Sequence, residues 1–186
     1  MSRELEKKYK KEAIPAMMQK FGYKSNMAVP GIKKVVINTG FGRQVAGKSA
    51  EEQRKIQNAI SEDLGLICGQ KTVFKKAKKS IASFKTRRGM VLGVSVTLRK
   101  KKMYDFLERL VKIALPRTRD FQGIDKKGFD KNGNLTLGIK EHIVFPEVSP
   151  EKSKGIFGFE ISIATNSKNK DEGIELLKLM GFPIKS

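Results

Sequence analysis

Gly42 to Ser49 reads GRQVAGKS and matches the phosphate-binding pattern G-x-x-x-x-G-K-S/T. In such a loop, successive backbone N–H groups and a lysine cradle the phosphates of a nucleotide. The segment lies between a predicted strand and a predicted helix, as that chemistry requires. A nucleotide hydrolase also needs an apolar strand that ends in a magnesium-holding aspartate. None is present: Ile161–Ala164 runs into Thr165-Asn166, and Ile143–Phe145 runs into Pro146. Ser49 also has a structural use, because Ser49 and Glu52 form the S-x-x-E capping box of a helix. The match is therefore read as accidental, with a P-loop nucleotidase kept as the rival function.

The other reactive residue types are sparse. With His142 as the single histidine, neither a His-based triad nor a multi-histidine metal site is expected, and His142 is read as an ordinary residue at a strand end. Cys68, the only cysteine, follows an apolar run and reads as a small buried hydrophobe; an intramolecular disulfide or a Cys-only zinc site is excluded. Asp130–Asn134 (DKNGN) resembles the start of a calcium loop but lacks the terminal glutamate, so a hairpin turn is the better reading. Asp105 and Glu108 sit on a basic helix, where ion pairing accounts for them. No catalytic residue, metal ligand or cofactor is expected, and the chain reads as a non-enzyme.

Charge points elsewhere. The 186 residues hold 39 Lys plus Arg against 19 Asp plus Glu, a net charge of +20. Two acid-free windows, Ala13–Ala50 and Leu64–Tyr104, carry eighteen of those twenty excess charges, and the rest of the chain is nearly balanced. A solubilising surface would intersperse its signs, whereas concentrated positive charge displaces counterions from a phosphate backbone. The densest stretch, Lys75–Gly89 (KKAKKSIASFKTRRG), has seven cations, no acid and only Ile81 and Phe84 as large apolar anchors. That is too little apolar surface for a membrane-binding helix. It suits a loop laid along phosphates, with Ser80, Ser83 and Thr86 as hydroxyl donors and Phe84 able to stack on a base. No run of 18 apolar residues can cross a membrane, and the charged Met1–Lys11 is no secretory signal. A cytoplasmic protein with a polyanionic partner is expected.

Several elements must position these residues. Leu5–Phe21 reads as an amphipathic helix kinked near Pro15, and Ile32–Thr39 as a β-branched strand. A helix starts at Ser49 with Ile56, Ile60 and Leu64 as its stripe, and a short strand follows around Thr72–Phe74. Val91–Leu98 alternates: Leu92, Val94, Val96 and Leu98 point one way, while Gly93, Ser95 and Thr97 form a small-residue face open to a backbone or a flat nucleotide. Lys101–Leu115 reads as a helix stopped by Pro116. Asn132-Gly133 is a turn before strand Leu135–Ile139, Ile156–Ala164 is a strand, and Asp171–Met180 is a helix that ends at Gly181. The sum is an α+β fold, a mostly antiparallel sheet with helices packed on one face and a long basic loop projecting. The chain is read as one domain over 1–186, with the loop at 75–89.

The pieces Val29-Pro30 with VVINTG (Val35–Gly40), Gly69-Gln70-Lys71, AKKSIASFKTRRG (Ala77–Gly89), VTLR (Val96–Arg99), ALPRTRDFQG (Ala114–Gly123), Phe129-Asp130 with Gly133-Asn134, IVFPE (Ile143–Glu147) and Gly181-Phe182-Pro183 stand in the order seen in one family. Over about 170 residues the chain resembles the bacterial large-subunit ribosomal protein L-five family, which binds 5S ribosomal RNA in the central protuberance. The resemblance implies 5S rRNA contact by Asn38, Gln70, Lys71 and Thr97, and the cations Lys33, Lys34 and Arg99 of the acid-free windows are expected to join them. It implies contact with P-site tRNA by Lys78, Lys79, Ser80, Phe84, Lys85, Arg87 and Arg88. It also implies large-subunit rRNA and neighbouring ribosomal proteins as partners, among them a small-subunit head protein across an intersubunit bridge. The chain departs from the family pattern at Thr72, where proline is usual, and at Lys131, where glycine is common.

Overall fold

The structure, a computed structural model, describes residues 4–149, 151, 153 and 155–185. It contains a five-stranded sheet in the order β2-β3-β1-β5-β4, built from β1 (Ile32–Gly40), β2 (Val73–Lys76), β3 (Val91–Leu98), β4 (Leu135–Ile139) and β5 (Phe159–Thr165). The helices are α1 (Glu4–Lys8), α2 (Ile14–Phe21), the single turn α3 (Gly42–Val45), α4 (Ala50–Cys68), α5 (Lys100–Arg109), the short α6 (Leu115–Arg117) and α7 (Lys170–Leu179). This is the α+β architecture expected. The chain divides into two compact units, residues 1–36, 98–137 and 161–186 in one, and 37–97 and 138–160 in the other.

In the first unit, two prolines are accommodated by the same device. Residues 4–21 are helical throughout, but Tyr9–Ala13 forms a π turn just before Pro15. Leu110–Ala114 forms another just before Pro116. Proline lacks an N–H and its ring collides with the carbonyl four residues back, so a locally widened turn lets the helix pass. Pro116 therefore does not stop its helix, as the sequence suggested. The chain continues to Arg117, where Thr118 turns extended and its hydroxyl donates to the Ala114 carbonyl at 2.9 Å. Met17, Met103, Phe106, Leu107, Leu110, Ile161, Ile163, Leu176 and Leu177 are buried in this unit. Asn166 pins the approach to β1, accepting from the Gly31 N–H at 2.6 Å and donating its own N–H to the Gly31 carbonyl at 3.2 Å.

In the second unit, α4 starts on the capping box read from the sequence. The Glu52 N–H donates to Ser49 Oγ at 3.3 Å, and the Ser49 N–H donates to Glu52 Oε2 at 3.1 Å. Ile60, Leu64, Ile67 and Cys68 turn inward, and Gly69 ends the helix in the left-handed region at φ +60°. Thr72, the departure from the family pattern, is buried, with its hydroxyl 2.6 Å from that of Ser61 on α4. Ile37 and Thr39 of β1 and Val94 and Val96 of β3 face the core, together with Phe41, Phe145 and Phe157.

Gly93 explains the small-residue face of β3. A Cβ built there would stand 2.6 Å from the Thr39 carbonyl oxygen, so the close approach at this position is by the backbone of β1 rather than by a nucleotide. Gly93 and Ser95 are both buried, and only Thr97 on that face is exposed. Gly93→Ala must force β1 and β3 apart, and overpacking of this kind costs about 1–3 kcal/mol. The urea midpoint of Gly93→Ala is expected to drop with an unchanged m-value; an unchanged midpoint would show that the strands can move apart freely.

Candidate nucleic-acid interface

Asn38 is exposed between buried Ile37 and Thr39, and Thr97 between buried Val96 and Leu98. Alternation thus turns both side chains to the face of the sheet opposite the core. Gln70, one residue beyond the Gly69 cap of α4, donates from Nε2 to the Thr97 carbonyl at 3.2 Å. This bond carries Gln70 and the exposed Lys71 to the Thr97 end of β3. The Asn38 amide, Gln70 Oε1, the Lys71 ammonium and the Thr97 hydroxyl have no hydrogen-bond partner among the described residues. Four residues from three separate stretches of the chain thus present unused donors and acceptors.

The remaining expected residues of that group lie in the first unit. Lys33 is exposed and Lys34 half-buried, both between buried Ile32 and Val35, where the alternation of β1 slips by one residue. Arg99 is exposed and precedes α5, whose first turn is Lys100-Lys101-Lys102 with no acid. That charge pattern opposes the usual preference of a helix N-terminus for anionic side chains.

The basic stretch is a hydrogen-bonded hairpin rather than an open loop. β2 pairs with β3 through Val73↔Ser95, Phe74↔Val94 and Lys75↔Gly93. The register then shifts, Lys76 pairing with Val91 and leaving Leu92 without a partner. Such a bulge bends and twists the ribbon that grows from it. Beyond it, the Ala77 N–H donates to the Met90 carbonyl at 2.8 Å, and Ile81 and Thr86 exchange backbone bonds at 3.1 and 3.2 Å. Ala82–Phe84 forms a 3₁₀ turn and Lys85 adopts φ +50°, which reverses the chain. Ser80 Oγ accepts from the Arg88 N–H at 2.9 Å, and the Thr86 hydroxyl points to the Ile81 carbonyl at 3.4 Å. These two hydroxyls therefore brace the hairpin. Lys78, Lys79, Phe84, Lys85, Arg87 and Arg88 are all exposed along it. Arg43, a cation of the first acid-free window that was not among the expected contact residues, lines one groove with residues of this hairpin.

Residues 25–87 match the family described as Ribosomal protein L5, and residues 91–184 match the ribosomal L5P family C-terminus. The chain is 49% identical over 178 residues to the large ribosomal subunit protein uL5 of Geotalea daltonii, covering 96% of each chain. It is 49% identical over 182 residues to the uL5 of Desulforapulum autotrophicum (98% of each), and 50% identical over 175 residues to that of Alkaliphilus oremlandii (94% of each). The chain belongs to the ribosomal protein L5 family. Its role is that of a structural ribosomal protein and not of an enzyme.

The geometry of the decoys agrees with membership in the L5 family. In GRQVAGKS, Gln44 and Val45 donate their N–H groups to the Phe41 carbonyl, Ala46 to Gly42, and Lys48 to Val45, at 2.9 to 3.2 Å. Amides spent on a helical turn cannot cradle phosphates, and Ser49 is held by Glu52. Asp130 is consumed by its own turn. Its carboxylate accepts from the N–H groups of Asn132 and Asn134 and from the Asn134 side chain, at 2.7 to 2.9 Å, and Gly133 takes φ +71°. Among the described residues, no cluster of three or more His, Cys, Asp and Glu could hold a metal, and no helix is long and apolar enough to cross a membrane.

His142 is not an ordinary strand-end residue. It is fully buried, stacks on Phe157 with ring centroids 4.0 Å apart, and stands 2.9 Å from Ser153 Oγ and 3.4 Å from Asp63. The types are those of a hydrolytic triad, but the roles are reversed. The Phe157 N–H donates to Nδ1, so Nε2 carries the proton and points it at Ser153, while the Ser153 hydroxyl donates to Asp63 Oδ2 at 3.0 Å. The nitrogen that faces the serine has no lone pair with which to act as base. Burial pushes the imidazole below its usual 6.5, against the opposing pull of Asp63. Above about pH 6.5 His142 is neutral both folded and unfolded. As pH falls through 6.5 the unfolded chain takes up a proton that the folded chain resists, so stability declines. Between pH 7.5 and 5.5 the fall in Tm is expected to be smaller in His142→Gln than in the parent chain; equal falls would show that His142 does not titrate in this way.

Proposed function

We propose that the chain binds 5S ribosomal RNA, helps to attach it to the large subunit in the central protuberance, and touches P-site tRNA through the basic hairpin. The observation that carries the first part is the set of unspent polar groups on Asn38 and Thr97, which their strands turn away from the core, and on Gln70 and Lys71, tied to Thr97 by the Gln70 bond. Lys71 and its neighbours supply affinity by releasing counterions, and the amides and hydroxyl supply orientation through hydrogen bonds. Lys33, Lys34 and Arg99 serve the same RNA. The names of the relatives, all large-subunit proteins, support the assembly in which this RNA contact occurs. The hairpin is a separate element, stiffened by its own cross-bonds, with exposed cations on both arms.

If about six phosphates are neutralised, the logarithm of the affinity for 5S rRNA falls with the logarithm of salt at a slope near −5. Filter binding across a salt series reads that slope, with Gln70→Ala expected to weaken binding about tenfold by leaving RNA groups unpaired. A salt-independent affinity would overturn the proposal, and equal competition by an unrelated hairpin would indicate a general RNA chaperone instead. Replacing Lys78, Lys79, Arg87 and Arg88 together by Ala is expected to leave 5S rRNA binding nearly intact while weakening tRNA retention on assembled ribosomes. Equal loss of both would show that the hairpin is not a separate contact.

A further inference from the structure

Within the second unit, α4 and the segment before β5 line a cavity of about 280 Å³. Its apolar lining is Ile56, Ala59 and Ile60 of α4 together with Ile156 and Phe157. Ile60 is buried, whereas Ile56, one turn earlier on the same stripe, is only half-buried, and Ile156 is 61% exposed. The apolar stripe of α4 is thus left unfinished where it meets the cavity. The lining segments are held by bonds already in place. Phe157 stacks on His142, and its carbonyl accepts from the His142 N–H at 3.0 Å. Ser153 ties the same segment to Asp63 of α4 at 3.0 Å, and the Ser49–Glu52 box fixes the first turn of that helix. A preformed apolar hollow of this volume stands at the small end of ligand pockets, which begin at about 300 Å³.

The polar lining selects a head group. Lys48 and Lys55 are exposed, and Asp63 is the one carboxylate that lines the cavity. Lys55 pairs with Glu51 at 2.6 Å, whereas the Lys48 ammonium has no partner among the described residues. The balance is a single uncompensated positive charge. Asp63 lies eight residues beyond Lys55, roughly 12 Å along the helix, and its negative charge repels an anion from that end. A doubly charged phosphate would need backbone donors as well, and the N–H groups of Gln44, Val45, Ala46 and Lys48 are engaged in their own turn. We infer that the cavity binds a small apolar monocarboxylate, its carboxylate on Lys48 and its hydrocarbon body among Ile56, Ala59, Ile156 and Phe157. Lys48, the lysine of GRQVAGKS, thereby serves a ligand that is not a nucleotide. None of these residues belongs to the proposed 5S rRNA or tRNA contacts, so the site stands apart from the proposed function.

The test titrates octanoate into the isotope-labelled full chain and follows its backbone amides by NMR. Saturable shifts confined to the first half of α4 and to residues 155–157 are expected. Hexanoate, two methylenes shorter, should bind roughly tenfold more weakly, and octylammonium at least about tenfold more weakly. Lys48→Gln should weaken octanoate about threefold to fivefold. Ala59→Leu, which fills the cavity from the helix, should weaken it at least about tenfold. Ile156→Ser changes an exposed position without touching the core and should weaken it about fivefold, which keeps the test open if Ala59→Leu unfolds. Equal binding of octylammonium, shifts scattered over the basic surface, or unchanged affinity in both Lys48→Gln and Ile156→Ser overturns the inference. Octyl phosphate binding more than about tenfold tighter than octanoate would make this a phosphate site and overturn it too. Affinity for 5S rRNA is measured with and without saturating octanoate and is expected to be the same. Displacement of the RNA would put the carboxylate on the RNA-binding surface and sink the cavity site alone, whereas absence of 5S rRNA binding in the parent chain would sink the proposed function and leave the cavity site standing.

Discussion

A β-strand shows its side chains alternately to two faces, and in β1 the residues Val35, Ile37 and Thr39 are buried while Asn38 is exposed. Ile37 of β1 and Val94 and Val96 of β3 are fully or almost fully buried on the core side. The other side carries the exposed Asn38, Gly40 and Thr97, together with Gly93 and Ser95, small residues that are themselves buried. The face offered to a partner is thus a consequence of how the core is built. Concentrated positive charge then becomes tolerable, because cations set on a solvated face and on an outlying hairpin avoid the desolvation cost that a core would impose.

Backbone accounting shapes the rest. The two π turns, before Pro15 and before Pro116, let helical runs continue across residues that cannot donate. The bulge at Leu92 ends regular pairing between β2 and β3 at the point where the hairpin leaves the sheet. Within the hairpin, side-chain hydroxyls of Ser80 and Thr86 are spent on its own backbone, which lowers the backbone share of the ordering cost at binding.

Two constellations show why residue types alone mislead. GRQVAGKS has the composition of a nucleotide loop, yet its amides are used up in a helical turn and its serine in a capping box. Ser153, His142 and Asp63 meet within hydrogen-bonding reach, yet the Phe157 N–H decides the imidazole tautomer against base chemistry. In both, hydrogen bonds from backbone groups determine what the side chains can do.

The sequence by itself determined the element types and most of their limits, because periodicity, the Ser49–Glu52 cap and the glycine stops are local signals. It placed Val91–Leu98 and Leu135–Ile139 at their observed bounds, and it located the charge, which composition alone reveals. The family was legible in ordered short motifs. Only the tertiary structure decided that Gly93 admits a neighbouring strand, that Gln70 is tied to Thr97, that His142 is buried against Asp63 and Ser153, and that Arg43 and Phe84 line one groove. Each of these is a meeting of segments far apart in the chain. No periodicity encodes such meetings, since they depend on strand order and on how each backbone group finds its partner.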